Sequence, residues 1–241
     1  MDSRSLEILY EDNHLLAINK RPGMLVQGDV TGDVPLVEWA KDYIKNKYQK
    51  KGDVFLGVVH RLDRPVSGVV IFARTSKALE RMNSLFRNRD TEKTYWAVVS
   101  GKPPNSEGTL IHWLRKDEKK NKTTFFTRET GNALKSELSY KVLGEAAGYY
   151  LLEVKPITGR SHQIRVQLSS MGCPIRGDVK YGYNTPNENG NINLHAKSLG
   201  FTHPVKKDLL IISAPFPDDG FWHYFAGFDL NDGGTAVDRK T

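Results

Sequence analysis

Cysteine is all but missing from this chain: Cys173 is its single one. It can close no internal disulfide and complete no C-x-x-C metal site, which fits a reducing compartment. Long hydrophobic runs are missing too. Nothing approaches the ~20 apolar residues of a membrane span, and the opening MDSRSLEILYED holds no apolar signal core. These absences predict a soluble cytoplasmic protein without a membrane partner. No G-x-G-x-x-G or G-x-x-x-x-G-K-[ST] phosphate loop occurs, so no nucleotide cofactor is expected. His195 in LHAKSLGFTHP has no H-x-H or H-x-x-x-H partner, so no metal is expected either. Internal repeats and low-complexity tracts are lacking. Acidic residues are in deficit: 28 Asp and Glu face 35 Lys and Arg, a net charge of +7. That excess favours a polyanionic partner such as nucleic acid.

What is present is ordinary globular material. With 241 residues, 39% of them hydrophobic, the chain can bury a sizeable core as one large domain or two small ones. LEILYED and HLLAINKR read as strands separated by Asp12-Asn13 and ended by Pro22-Gly23. Val34 to Tyr48 carries Leu36, Val37, Ala40, Tyr43 and Ile44 at helical spacing. FLGVVHRL and SGVVIFART read as strands. Ser76 to Arg89 reads as a helix with Ser76 as N-cap and Leu79, Met82, Leu85 and Phe86 as its stripe. KTYWAVVSG is a strand. RKDEKKNK, residues 115–122, is a charged, turn-rich stretch between apolar runs, followed by the strands TTFFTRE, SELSYKVLGE and YYLLEVKP. Ser161 to Gly172 reads as a helix opened by Gly159-Arg160, with Arg160 and His162 in its first turn. GDVKYGYNTPNENGNIN is a polar loop. LHAKSLGFTHP and DLLIISAPFP are strand-like, FWHYFAGF is a short aromatic helix, and the end near Arg239 is frayed. Strands outnumber helices without regular βαβ alternation, which predicts an α+β fold with a mixed, mostly antiparallel sheet.

The chemistry concentrates in HRLDRPVSG. Arg61 and Arg64 flank Asp63 and favour its ionised form, and an ionised Asp is a base or a covalent nucleophile. A structural ion pair is the plainer reading. In GRSHQIRVQL, Arg165 could hold a carboxylate in a bidentate fork. A solvated amphipathic helix is the plainer alternative, because spacing puts Arg165 near Ser161 and Ser169, off the apolar stripe. In KTYWAV, alternation puts Lys93, Tyr95 and Ala97 on one face and Thr94, Trp96 and Val98 on the other. Tyr95 could stack on a base or simply fill the core.

With HRLDRPVSG, KTYWAVVSG, GRSHQIRVQLSSMGCPIRGDVKYG and LHAKSLGFTHP in this order, roughly Ile8 to Pro215 resembles the RluA-type pseudouridine synthases. The resemblance implies a sheet in two halves flanked by helices, parted by a central active-site cleft. It also implies isomerisation of uridine in structured RNA, with ribosomal RNA favoured over transfer RNA and no cofactor. Asp63 matches the catalytic aspartate, Arg61 the arginine that helps displace the target base, Tyr95 the tyrosine packed on that base, and Arg165 the partner of the aspartate. Ile164 would wall the pocket. Arg64 would touch RNA backbone, and His60 would support the loop on the substrate side. Two positions depart from the usual pattern. Val66 stands where Thr is common, and Gln167 follows Arg165-Val166 where many members have His.

The expectation is one catalytic domain over residues 1–241, monomeric and without a separate N-terminal RNA-binding domain. Asp63 would attack C1′ or remove a sugar proton to give a glycal. Two rivals stand beside this reading: an Asp63-dependent glycosylase, which would need a second carboxyl such as Glu92, and an RNA-binding module of the same fold without turnover.

Overall fold

Two apolar runs, Leu15 to Ile18 and Val69 to Ala73, are almost wholly buried. A run that is apolar on both alternating faces becomes a strand covered on both sides. They form the hearts of β2 (Leu15–Lys20) and β4 (Ser67–Ala73). The computed structural model describes residues 6–218 and 220–231. The other strands are β1 (Glu7–Glu11), β3 (Gly57–Val58), β5 (Thr91–Ser100), β6 (Glu107–Asp117), β7 (Lys122–Phe126), β8 (Leu134–Ala146), β9 (Tyr149–Pro156), β10 (Leu194–Thr202) and β11 (Leu209–Ser213). The helices are α1 (Leu36–Lys47), α2 (Ser76–Asn88) and α3 (Gln163–Ser170).

The strands form one sheet in the order β1-β2-β4-β10-β5-β9-β8-β6-β7, with β11 on β10 and β3 on β4. Among the described residues every pair of neighbouring strands is antiparallel except β4 and β10, which run parallel through only two pairs, Ser67 with His195 and Gly68 with Ala196. This short joint divides the sheet into the two halves expected from the sequence. Gly68 has φ +110°, and a Cβ there would lie 2.2 Å from the Ala196 carbonyl oxygen. Only glycine allows that approach. Ser67 Oγ and His195 Nδ1 tie the same joint at 2.8 Å.

Alternation sorts the core. On one face Leu16, Ile18, Val70 and Phe72 meet α1, and Ala97 and Val154 meet α3. On the other, Leu15, Ala17 and Ile71 pack on Met82 of α2, and Trp96 and Val98 pack on Trp222 and Phe225. The sequence reading of β5 therefore holds.

Several boundaries differ. Thr75, not Ser76, caps α2: its Oγ1 accepts from Ala78 N at 3.1 Å. Helix α1 starts at Leu36 because Pro35 occupies the N-cap with extended backbone. Of FLGVVHRL, only Gly57 and Val58 pair as a strand. The charged 115–122 stretch is half strand and half turn: β6, unread in the sequence, continues to Asp117, residues 118–121 turn, and β7 resumes at Lys122. FWHYFAGF lies within a tighter 3-10 segment, Gly220–Asn231. Arg239 lies outside the described residues.

His195 makes stability depend on acid. It is 1% exposed, and burial, reinforced by the Lys197 charge, pushes its imidazole from 6.5 to about 3. Below pH 6.5 the unfolded chain takes up a proton that the folded chain refuses. Its contribution is complete above that pH and declines as pH falls from 6.5 toward 3, by about 1 kcal/mol per pH unit. Thermal unfolding at pH 7 and pH 5 should show the parent losing more stability than His195→Asn. Equal losses would refute this assignment.

Candidate active site

Asp63 sits on a turn whose rigidity comes from below. The Asp63 carbonyl accepts from Val66 N at 3.0 Å, and the Arg64 carbonyl accepts from Gly23 N at 2.8 Å. Beneath lies Lys20, with 0% exposure. Its Nζ donates to the carbonyls of Met24 at 2.9 Å and of Arg21 and Arg64 at 3.1 Å. These three acceptors match the three protons of an ammonium. Burial pushes Lys20 down to about 7, while the charge of Asp63 opposes the shift. The lysine thus ties the β2 loop to the turn that carries Asp63.

Arg165 reaches Asp63 from α3. Before that helix, His162 takes a left-handed backbone, φ 54°, and the helix begins at Gln163. Gly159, Arg160 and His162 therefore precede the helix instead of forming its first turn. The Gln163 side chain fastens this approach: Oε1 accepts from Thr158 Oγ1 at 2.7 Å and Arg160 N at 3.0 Å, and Nε2 donates to the Glu137 carbonyl at 3.0 Å. Residues 163–168 are all buried, so α3 is no solvated amphipathic helix. Gln167 Nε2 donates to the Leu110 carbonyl at 3.0 Å inside the core, while its Oε1 has no hydrogen-bond partner among the described residues.

Arg165 Nη1 donates to Asp63 Oδ2 at 2.9 Å. Its Nε and Nη2 fork onto Asp178, at 2.7 and 2.8 Å. The guanidinium lies 5.0 Å from the Tyr181 ring. Burial works against the charge, but hydrogen bonds and charges from Asp178 and Asp63 raise the Arg165 pKa above its ordinary value. Asp178 is 1% exposed and comes from the segment read as a polar loop, which also contains a 3-10 turn, Val179–Tyr181.

Asp63 opens into a cleft walled by Leu62, Val66, Tyr95, Ile164 and Leu194, with Arg61, Lys93, Arg160 and His162 among its polar lining. Asp63 is the one acid among these lining residues. Glu92, the second carboxyl a glycosylase would need, is not in the lining. Asp178 is committed to Arg165. Burial first, then the charge of Asp63, raises the Tyr95 phenol above its ordinary pKa, so it stays neutral. Arg61 is exposed at the rim and has no side-chain partner among the described residues.

The structure thus gathers Asp63, Tyr95, Arg165, Ile164 and Arg61 in one place. Arg64 and His60 are not in the lining. The Arg64 guanidinium pairs outward with Asp33 at 2.8 Å. His60 stacks on Phe86 at 5.0 Å, and its Nε2 accepts from Ile71 N at 3.1 Å. These contacts support the strand after the motif. Sequence reasoning gave no role to Lys20, Lys93, His162, Asp178 or Tyr181. The signal for Asp178 and Tyr181 was present in GDVKYG, where an acid and an aromatic stand three residues apart.

A family model described as RNA pseudouridylate synthase matches residues 14–170. An uncharacterized RNA pseudouridine synthase of Bacillus subtilis is 33% identical over 217 residues, 89% of this chain and 70% of that protein. Ribosomal large subunit pseudouridine synthase C of Vibrio vulnificus is 34% identical over 214 residues, 86% of this chain but 65% of that protein. The chain therefore spans slightly under two thirds of that ribosomal enzyme. tRNA pseudouridine synthase C of Vibrio parahaemolyticus is 30% identical over 245 residues, 94% of this chain and 96% of that protein. Among solved structures, human RNA pseudouridylate synthase domain containing 4 superposes with a TM-score of 0.73 at 27% identity, covering 95% of this chain and 94% of that one. With this match running through the Asp63 turn, Tyr95 and Arg165, the chain belongs to the RluA-type RNA pseudouridine synthases, a family of isomerases.

Proposed function

We propose that this protein isomerises uridine to pseudouridine in ribosomal RNA, as a cytoplasmic monomer without a nucleotide cofactor. The observation that carries the chemistry is the state of one carboxylate. Asp63 Oδ2 is held by Arg165 Nη1, while Oδ1 has no hydrogen-bond partner among the described residues. One oxygen is fixed and the other is free to face a ribose.

The reaction breaks the N1–C1′ bond, turns the uracil and joins C5 to C1′. The C5 proton leaves and N1 gains one, so no oxidant or co-reactant is needed. The uridine must first leave its stack, which costs a few kcal/mol in a paired context. Contacts between phosphates and the basic surface offset that cost. Arg61, at the rim and without a side-chain partner among the described residues, enters the vacated space. Asp63 assists detachment at the ribose, with Arg165 keeping it charged and aimed. Tyr95 and Ile164 cover the base, and the apolar walls exclude the water that would otherwise leave an abasic site. The relative named for ribosomal RNA is 34% identical against 30% for the one named for tRNA, a difference that supports the ribosomal reading.

The test is pseudouridine mapping of ribosomal and transfer RNA incubated with purified protein, alongside release of tritium from C5-labelled uridine. Conversion at a discrete ribosomal position is the expected result. Conversion in transfer RNA alone would reassign the substrate. Free uracil would mark a glycosylase, and bound but unaltered RNA would mark a module without turnover.

A further inference from the structure

His162 has no part in the roles above, yet it lines the same cleft and is 9% exposed. Its neighbours favour one tautomer. The amide N–H of Thr123 donates to Tyr181 Oη at 2.8 Å. An amide N–H can only donate, so the phenol oxygen accepts there and keeps its own proton to give. The atom placed to receive it is His162 Nδ1, at 2.7 Å. A neutral imidazole that accepts at Nδ1 carries its hydrogen on Nε2. Burial lowers the pKa of the ring and favours its neutral form; Asp63 and Asp178 oppose the shift, and Arg165 and Lys180 add to it. The Nε2 atom stands 3.7 Å from Asp63 Oδ2, the oxygen already held by Arg165. This is just beyond hydrogen-bond length, as unliganded sites often show before substrate tightens them.

We propose that His162 is a positioning residue for the isomerisation. Tyr181 holds it in the Nε2–H tautomer, and it donates to Asp63 Oδ2 when RNA closes the cleft. Two donors on one oxygen stop the carboxylate from rotating and present Oδ1 to the ribose. The arrangement also links the site to the basic β6–β7 hairpin. Thr123 belongs to β7, and its Oγ1 donates to the Ser161 carbonyl at 2.9 Å, beside His162. The seating of that hairpin therefore fixes the tautomer. This inference rests on the reading of Asp63 as the reacting carboxylate.

The test sets two amides against each other. In His162→Gln the side-chain nitrogen reaches the place of Nε2. In His162→Asn it reaches only that of Nδ1. The left-handed backbone at 162 suits Asn better than Gln, so a merely structural role predicts that Asn is the better substitute. The positioning role predicts the reverse. Single-turnover conversion should fall about 10²-fold in His162→Asn and recover most of that in His162→Gln, with RNA affinity unchanged in both. Nitrogen-15 NMR of the parent should show Nε2 protonated and Nδ1 bare. Tyr181→Phe, which removes the phenol but not the ring, should slow turnover at unchanged RNA affinity. Asn turning over as fast as Gln, a parent with Nδ1 protonated, or a full-rate Tyr181→Phe would each overturn the proposal. Loss of conversion in Asp63→Asn beside a full rate in His162→Asn would overturn the role of His162 alone. Full conversion by Asp63→Asn would overturn the reading of the site itself.

Discussion

Asp63→Asn is expected to end isomerisation while leaving the protein folded and still able to bind RNA. The amide keeps the shape of the carboxylate and an oxygen for Arg165, but it has no negative charge to offer the ribose. Turnover should drop below about 10⁻⁴ of the parent rate, the order seen when a reacting side chain is removed. The fold should tolerate the change because the Asp63 side chain is 30% exposed and the buried guanidinium keeps its fork on Asp178. Tritium release from C5-labelled RNA measures the chemistry, filter binding the affinity, and thermal unfolding the fold. A variant that retains a tenth of the parent rate would take Asp63 out of the chemistry.

The legible part of the site is the part whose signal is local. Asp63 and Arg61 share one contiguous motif, and strict alternation along β5 put Tyr95 and Lys93 on the cleft face. The unread part depends on contacts made across the chain. Lys20, in a stretch reading INKRP, looks like a solvated lysine, and only the loop and turn that fold over it supply its three carbonyls. Arg165 fell off the apolar stripe of its helix. Periodicity assumes that one face meets water, and α3 is buried on every face from Gln163 to Leu168, so a buried charge there leaves no periodic trace. Its second carboxylate lies 13 residues on, in a segment whose asparagines and glycines read as loop. The start of α3 was placed early because the left-handed turn at His162 is invisible in composition. The end of β6 was hidden by Arg115, Lys116 and Asp117, which are exposed strand residues that look like turn material. The two-half architecture was implied by family resemblance. Nothing local in the sequence announces that the halves meet through only two residue pairs.

Asp178→Asn is expected to cost both stability and turnover, and the two losses can be separated. The carboxylate is 1% exposed and takes two of the three Arg165 side-chain contacts to acids. Breaking a buried pair from one side leaves the guanidinium only the part-exposed Asp63 carboxylate to offset its charge, so the cost approaches the about 3–5 kcal/mol of a fully uncompensated charge, or roughly 10 °C in Tm for a chain of this size. The amide also turns an N–H toward the guanidinium, so Nη1 loses its aim at Asp63. Misplacement of that kind costs about 10²-fold in turnover. Removing the whole pair with Arg165→Met and Asp178→Leu should restore much of the stability, since a packed apolar pair can replace a buried ion pair. It should restore none of the turnover, because Asp63 then has no cation to orient it. Unfolding midpoints and single-turnover rates for the three proteins decide the matter. If Asp178→Asn matches the parent in both, Asp63 alone suffices to orient Arg165. If the double variant regains turnover with stability, the guanidinium serves packing and has no part in aiming the carboxylate.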